Sequence, residues 1–173
     1  MTATIDEAEL DRCIAALRRV GTVVKDNQQR IAMVGAKYMA AQIRPAVPRS
    51  SKMHMRYSTG KLVRRIRAPK GYGRVAATYD PGNLARSIKA LKFARSKTKA
   101  WVGAKLAKGV GTTGRFSGSR TDGYYLHMVD GDTKYHSGTG FFTRAAEAAK
   151  QGTYRVMVAE WQKLIQAQNN NVP

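Results

Sequence analysis

Acidic side chains are scarce in the middle of this chain. Eleven Asp and Glu stand against 31 Lys and Arg in 173 residues, a formal net charge of +20. Between Asp26 and Asp122 a single carboxylate, Asp80, faces 22 Lys and Arg. The flanks nearly balance: residues 1–26 carry four basic and five acidic side chains, and residues 122–173 carry five of each. A surface kept positive for solubility alone would intersperse both signs. Charge segregated into one segment implies a surface that meets something negative. Cysteine is nearly absent too. Cys13 is alone, which excludes an intramolecular disulfide and gives secretion no support. Set among Ile14 and Leu17 in a helical pattern, it reads as a small hydrophobe. No run approaches the ~18 apolar residues of a membrane-spanning helix. The opening Met1-Thr-Ala-Thr-Ile-Asp6-Glu7 lacks the basic and apolar regions of a signal peptide. The expectation is a chain made and used in a cytoplasm, or in something assembled there, with no membrane partner.

What is present is enough to fold. Hydrophobic content is 43%, with two Trp, eight Tyr and four Phe, and the length suits one domain over 1–173 with a real core. Thr4 to about Arg44 reads as one long helix. Thr4-x-x-Glu7 forms a capping box, with Asp6 and Glu7 where the helix dipole favours negative charge. Leu10, Ile14, Leu17, Gly21, Val24, Gln28, Ile31, Gly35 and Tyr38 mark a narrow seam at helical spacing. Pro45 is expected to stop it, since the residue before a proline is pushed out of helical geometry. Such a helix is about 60 Å long at ~1.5 Å per residue, more than a compact 19.1 kDa domain needs. It is expected to project and pack on other subunits. Gly21 and Gly35 each cost roughly 1 kcal/mol of helix propensity, so they mark either close packing or bends.

Residues 45–80 form a basic excursion containing Lys61, Arg64, Arg65, Arg67, Lys70 and Arg74, interleaved with Tyr57 and Tyr72. Arg74–Tyr79 reads as a short strand. Pro81-Gly82-Asn83 is turn chemistry, with Asn83 a cap for one helical turn. Ser87–Phe93 and Thr98–Ala104 read as two strands joined at Arg95-Ser-Lys97. Residues 107–123 form a Gly-rich basic loop carrying Arg115 and Arg120, Tyr124–Val129 a further strand, and Phe141–Gln168 a second helix. Helix, basic excursion, strands, helix argues an α+β fold: a long N-terminal helix, a small antiparallel sheet of about three to four strands, and a C-terminal helix. There is no internal repeat.

Two stretches raise the question of chemistry. His127, Asp130, Asp132 and His136 lie within ten residues, and two carboxylates with two imidazoles suit a divalent metal. Asp130-Gly131-Asp132 is equally what a turn looks like, and the spacing matches no closed metal site. Lys108-Gly-Val-Gly-Thr-Thr-Gly-Arg115 resembles a phosphate loop but lacks the Gly-Lys-Ser/Thr ending and a following helix. The expectation is therefore no enzyme, no cofactor and no metal. The contact surface is expected at Lys61, Arg64, Arg65, Arg67, Lys70, Arg74, Arg115 and Arg120, facing nucleic-acid phosphates or acidic protein neighbours. Phosphate contacts would make binding strongly salt-dependent.

Two short signatures bring a family into view. Gly82-Asn83-Leu84-Ala-Arg86-Ser87-Ile88 is similar to the Thr-Gly-Asn-Leu-x-x-Ser-Ile found after the first helix in the tail-completion (neck, or minor tail component) proteins of long-tailed bacteriophages. Tyr125-Leu-His-Met-Val129-Asp130-Gly131 resembles that family's Tyr-x-x-x-Val-Glu-x-Gly strand, and Gly140-Phe141-Phe142-Thr-Arg144-Ala145 stands where the last helix begins. The likeness covers roughly residues 82–165 plus the leading helix. Pro81 replaces the usual Thr, Asp130 replaces Glu, and residues 46–80 are an insertion. The resemblance implies a virion structural protein at the tail neck, assembled in the host cytoplasm as a ring of its own copies, six being the expected number. Its implied neighbours are tail tube or terminator and head–tail connector proteins, with DNA passing through the channel. It implies no catalytic residues. Within it Asn83 caps a turn, Leu84 and Ile88 pack together, and Tyr125 and Val129 share one strand face. The alternative from another class is a basic nucleic-acid-binding protein of packaging or ribosome-associated type.

Overall fold

The computed structural model describes residues 7–57, 75–93, 95–108, 114–133 and 137–170. In chain order the elements are α1 (Glu7–Ala46), β1 (His54–Tyr57), β2 (Val75–Tyr79), α2 (Asn83–Ser87), β3 (Ile88–Lys92), β4 (Ala100–Ala104), β5 (Gly114–Phe116), α3 (Leu126–Asp130) and α4 (Phe141–Asn169). The fold is α+β, with a long helix at each end and short strands between.

α1 and α4 pack antiparallel. Arg30 pairs with Glu160 at 2.8 Å, Gly35 lies against Thr153 and Met157, and Tyr38 covers Gly152. Glycine earns its place at 35: a Cβ there would come within 2.6 Å of the Met157 side chain. At Gly21 nothing lies within 4 Å, so close packing explains one seam glycine and not the other. The seam itself is covered along only part of its length. Ile31, Ala40 and Ile43 are buried, whereas Leu17 is 72% exposed and residues 11–19 are exposed throughout. Ala40, Ile43 and Val47 join Leu84, Ala85, Ile88 and Phe141 in the main core. Each large aliphatic buried there contributes roughly 1.5–3 kcal/mol. α1 runs through Pro45 to Ala46, ending within two residues of where the proline placed it.

The strands divide into two sheets. β3 and β4 pair antiparallel as expected, Ile88 opposite Ala104 and Lys92 opposite Ala100. The turn between them is held to α1 by Gln29, whose Nε2 donates to the Ser96 carbonyl at 3.1 Å. The second sheet has the order β1-β2-β5. β1 and β2 are antiparallel with an irregularity at Arg56 and Tyr57, while β2 and β5 are parallel.

Within the basic excursion, where no local structure was assigned at these positions, His54–Tyr57 forms a strand through its register with β2. Two local expectations give way. Residues 107–123 are not loop throughout, because Phe116 has 0% exposure and stacks on Tyr79 with ring centroids 5.2 Å apart. Burying that ring draws Gly114–Phe116 into pairing with β2. Residues 124–129, read as a strand, hold the short helix α3: the Val129 amide donates to the Tyr125 carbonyl at 3.2 Å. A six-residue run rich in apolar side chains fits either state, and among the described residues no strand pairs with it.

Candidate functional site

The two signature segments meet beside one buried residue, Asp122. Gly82, at φ +74°, turns the chain into α2, and Asn83 follows with 0% exposure. Its Nδ2 donates to the Asp122 carbonyl at 2.6 Å, and the Asp122 amide donates back to Asn83 Oδ1 at 3.3 Å. The same Nδ2 lies 3.5 Å from the Tyr125 hydroxyl. The Asp122 side chain, in a residue 3% exposed, is also fully engaged. Oδ2 accepts from the Tyr79 hydroxyl at 2.9 Å, and Oδ1 accepts from the amides of Ala107 at 3.0 Å and Tyr124 at 3.3 Å. A carboxylate with three donors is stable out of water. Ser87, also at 0% exposure, donates to the Leu84 carbonyl at 2.7 Å and so satisfies the end of its own helix.

Burial is the largest influence on the two tyrosines. It pushes the Tyr79 hydroxyl up to about 12, with the bond to Asp122 adding to the rise. It raises Tyr125 against smaller opposing contributions from Asn83 and the Leu84 backbone. Both remain neutral donors at ordinary pH. The cluster is a clasp that ties α2, β2 and the segment before α3 together.

Asp130 has a structural task. Its Oδ1 accepts from the Phe142 amide at 2.8 Å, placing a negative charge on the first turn of α4, where the helix dipole favours it. Its carbonyl accepts from Gly140 at 2.9 Å, and the Val129 carbonyl accepts from Thr139 at 3.0 Å. Asp132 accepts from the Gly138 amide at 2.7 Å. His127 is exposed and meets the Tyr124 ring edge-on. Both carboxylates of the suggested metal set are therefore bonded to backbone amides, and His136 lies outside the described residues. Among the described residues no three His, Cys, Asp or Glu are grouped to hold a metal ion.

Of the expected basic surface, Lys61, Arg64, Arg65, Arg67, Lys70 and Arg74 lie outside the described residues. Arg115 lies within β5 and Arg120 follows it. Arg115 pairs with Asp80 at 3.0 Å, and the Arg120 guanidinium sits 4.8 Å from the Phe116 ring centre. A cleft of about 610 Å³ is lined by Arg49, His54, Arg56, Gly82, Tyr125 and Val129, among others. Tyr125 and Val129 share its wall because they stand four apart on a helical turn, a different geometry from the strand face first assigned to them. Arg56 lies 3.7 Å over the Tyr124 ring.

Sequence reasoning missed Asp122, which served there only as the edge of the basic segment. Its role depends on Asn83, 39 residues away, and Thr121-Asp122-Gly123 by itself signals a turn. Comparisons with family models, curated proteins and solved structures find no match for this chain.

Proposed function

We propose that this chain is a structural subunit of a ring at the neck of a long-tailed bacteriophage, joining the tail to the head. The observation that carries the reading is the uncovered end of α1. In the antiparallel register with α4, Asn169 falls level with about Gly21, so the first turns of α1 run on past it for some 20 Å at ~1.5 Å per residue. This projection carries Ile14 and Leu17 in the open. A helix kept at that length without covering its apolar side suits a protein completed by neighbours. Tyr154, Val158 and Trp161 are likewise exposed on α4, beside a groove of about 390 Å³ between the helices. The signature residues add support of a different kind. Gly82, Asn83, Leu84, Ser87, Ile88, Tyr125, Val129 and Asp130 are all absorbed in turns, core and caps, as fold markers of a structural protein would be.

Electron microscopy of lysates from a virus lacking this gene tests the reading. Finished heads beside detached or malformed tails are expected. Normally joined particles would remove it and favour the nucleic-acid reading, for which 22 basic residues against one acidic between Asp26 and Asp122 is the motivating observation. Binding of DNA by the free chain that falls steeply with salt would then be the decisive measurement.

A further inference from the structure

The β3–β4 hairpin has an apolar inner face and a different outer one. Side chains alternate along each strand, and Ile88, Val102 and Ala104 take the inner face, against the main core. The register sets what lies outside. Lys89 stands opposite Gly103 and Leu91 opposite Trp101. Past the strand end the Phe93 amide donates to the Lys99 carbonyl at 3.4 Å. Lys105 extends the same row at the other end, its amide donating to the Ser87 carbonyl at 2.8 Å. Both aromatic rings on this face are open to solvent, Phe93 at 47% and Trp101 at 48% exposure, and Lys99 and Lys105 are exposed beside them. A single exposed apolar side chain is ordinary. Two aromatic rings on diagonal positions of one sheet face, set among lysines, form a platform. It is held in place before any partner arrives. The six-membered edge of the Trp101 ring lies against Gly103, where a Cβ would come within 2.5 Å of it, and Gln29 of α1 ties down the tip of the hairpin at Ser96.

The charge around this platform has one sign. Residues 81–121 hold ten Lys and Arg and no Asp or Glu. At its Lys89 and Lys105 end the face runs into a cavity of about 300 Å³, which those two lysines line together with Lys108, Arg120, Ser119 and Thr121. Among the described residues no carboxylate lines it. Its lysine-bearing wall is pinned at both ends: the Ala107 amide donates to Asp122 at 3.0 Å, and the Lys105 carbonyl accepts from the Gly123 amide at 2.9 Å. Open aromatic rings between cations fit one ligand class, a single strand whose bases are free to stack while its phosphates meet the lysines. An acidic peptide would pair with the lysines but offer Trp101 and Phe93 no flat partner. A duplex keeps its base faces stacked on one another. The same face of a second copy carries the same charge and repels it. We propose that the outer face of β3–β4 binds single-stranded nucleic acid. Bases stack on Trp101 and Phe93, and phosphates run past Lys99, Lys89 and Lys105 towards Lys108 and Arg120. This site does not rest on the neck reading, and it gives the nucleic-acid reading a location outside the basic cluster at 61–74.

The test uses the full-length chain and a thymidine oligonucleotide of about ten nucleotides, within the usual range of such sites. Trp161→Phe leaves Trp101 as the sole indole, so its fluorescence reports stacking directly. Quenching on binding is expected, and an abasic oligonucleotide of the same length is expected to bind more weakly and to quench little. With about four phosphates neutralised, affinity should fall on the order of 50-fold between roughly 50 and 200 mM salt. Trp101→Ala, read by anisotropy of a labelled oligonucleotide and checked for folding by circular dichroism, should bind roughly 5- to 100-fold more weakly. Trp101→Phe should recover most of that loss. Lys99→Ala with Lys105→Ala should flatten the salt dependence by about 1.4 in the logarithmic slope. A folded Trp101→Ala chain that binds as tightly as wild type overturns the proposal. So does quenching that the abasic strand reproduces, or a chain that binds no oligonucleotide at low salt. Tighter binding of a duplex of equal length, or of polyglutamate, overturns it as well and assigns the face to that partner. None of these results touches the neck reading, which falls only if the virus without the gene joins its particles normally.

Discussion

Asn83→Ala is the most direct probe of the clasp between α2 and the segment before α3. The asparagine side chain is completely buried and exchanges two hydrogen bonds with the Asp122 backbone, at 2.6 and 3.3 Å. Alanine would leave the Asp122 carbonyl and amide without these partners. An orphaned buried polar group costs about 1–3 kcal/mol, so two of them put the loss at roughly 2–6 kcal/mol, with a small cavity on top. Against a typical total stability of about 5–15 kcal/mol, that is a large fraction. For a chain of this size each kcal/mol moves the midpoint by about 2–4 °C, so a Tm drop of at least ~4 °C is expected. Urea unfolding should show a lower midpoint at unchanged slope, since the surface exposed on unfolding hardly changes. Asn83→Asp keeps the size but presents an acceptor to the Asp122 carbonyl and should be no better tolerated than alanine. A loss below ~1 kcal/mol for Asn83→Ala would mean that water or local movement satisfies Asp122, and the clasp would not be what fixes α2.

Two further outcomes follow from the geometry. Gly35→Leu should destabilise by roughly 1–3 kcal/mol, because its side chain meets Met157 and Thr153 in a packed contact. Gly21→Ala, in open space on the same helix, should stabilise by up to about 1 kcal/mol, and equal effects at the two sites would refute the packing argument. Tyr79 keeps its proton in the fold up to about pH 12, whereas an unfolded tyrosine loses its proton near 10. The folded state therefore binds more protons between those values, and this contribution, fully present below pH 10, is lost as pH rises towards 12. Each pKa unit is worth ~1.4 kcal/mol, so alkaline melts of wild type should fall more steeply there than those of Tyr79→Phe; parallel curves would show the hydroxyl to be solvated.

The long helices were legible because apolar spacing repeats over many turns and because proline and glycine mark their ends. The β3–β4 hairpin was legible for the same reason: alternation on both sides of a short polar turn. What escaped depended on partners distant in sequence. β1 is polar and exposed, and only its register with β2 makes it a strand. Phe116 looked like one aromatic in a Gly-rich loop, since nothing local says that Tyr79 waits to stack on it. Tyr125 to Val129 carried too few residues to separate a period of two from one of 3.6. The signature residues were recognisable as a group, but Asp122, which joins them, stood outside both motifs. The basic surface was legible only as charge. The count of charges could not say that Arg115 is paired with Asp80, and Arg86, outside the expected surface, gave no sign that its Nε and Nη2 are buried without a partner among the described residues.

The uncovered start of α1 also bears on timing. Residues 11–19 are exposed throughout, so their helix is supported mainly by propagation from the packed turns further along. In a free subunit that segment belongs at the low end of local stability, where opening costs little and amide hydrogens exchange quickly. Covering it would close that opening. If the chain assembles as proposed, this exposed stretch would pass from open to protected against proteases, and its survival would record which copies had found a neighbour.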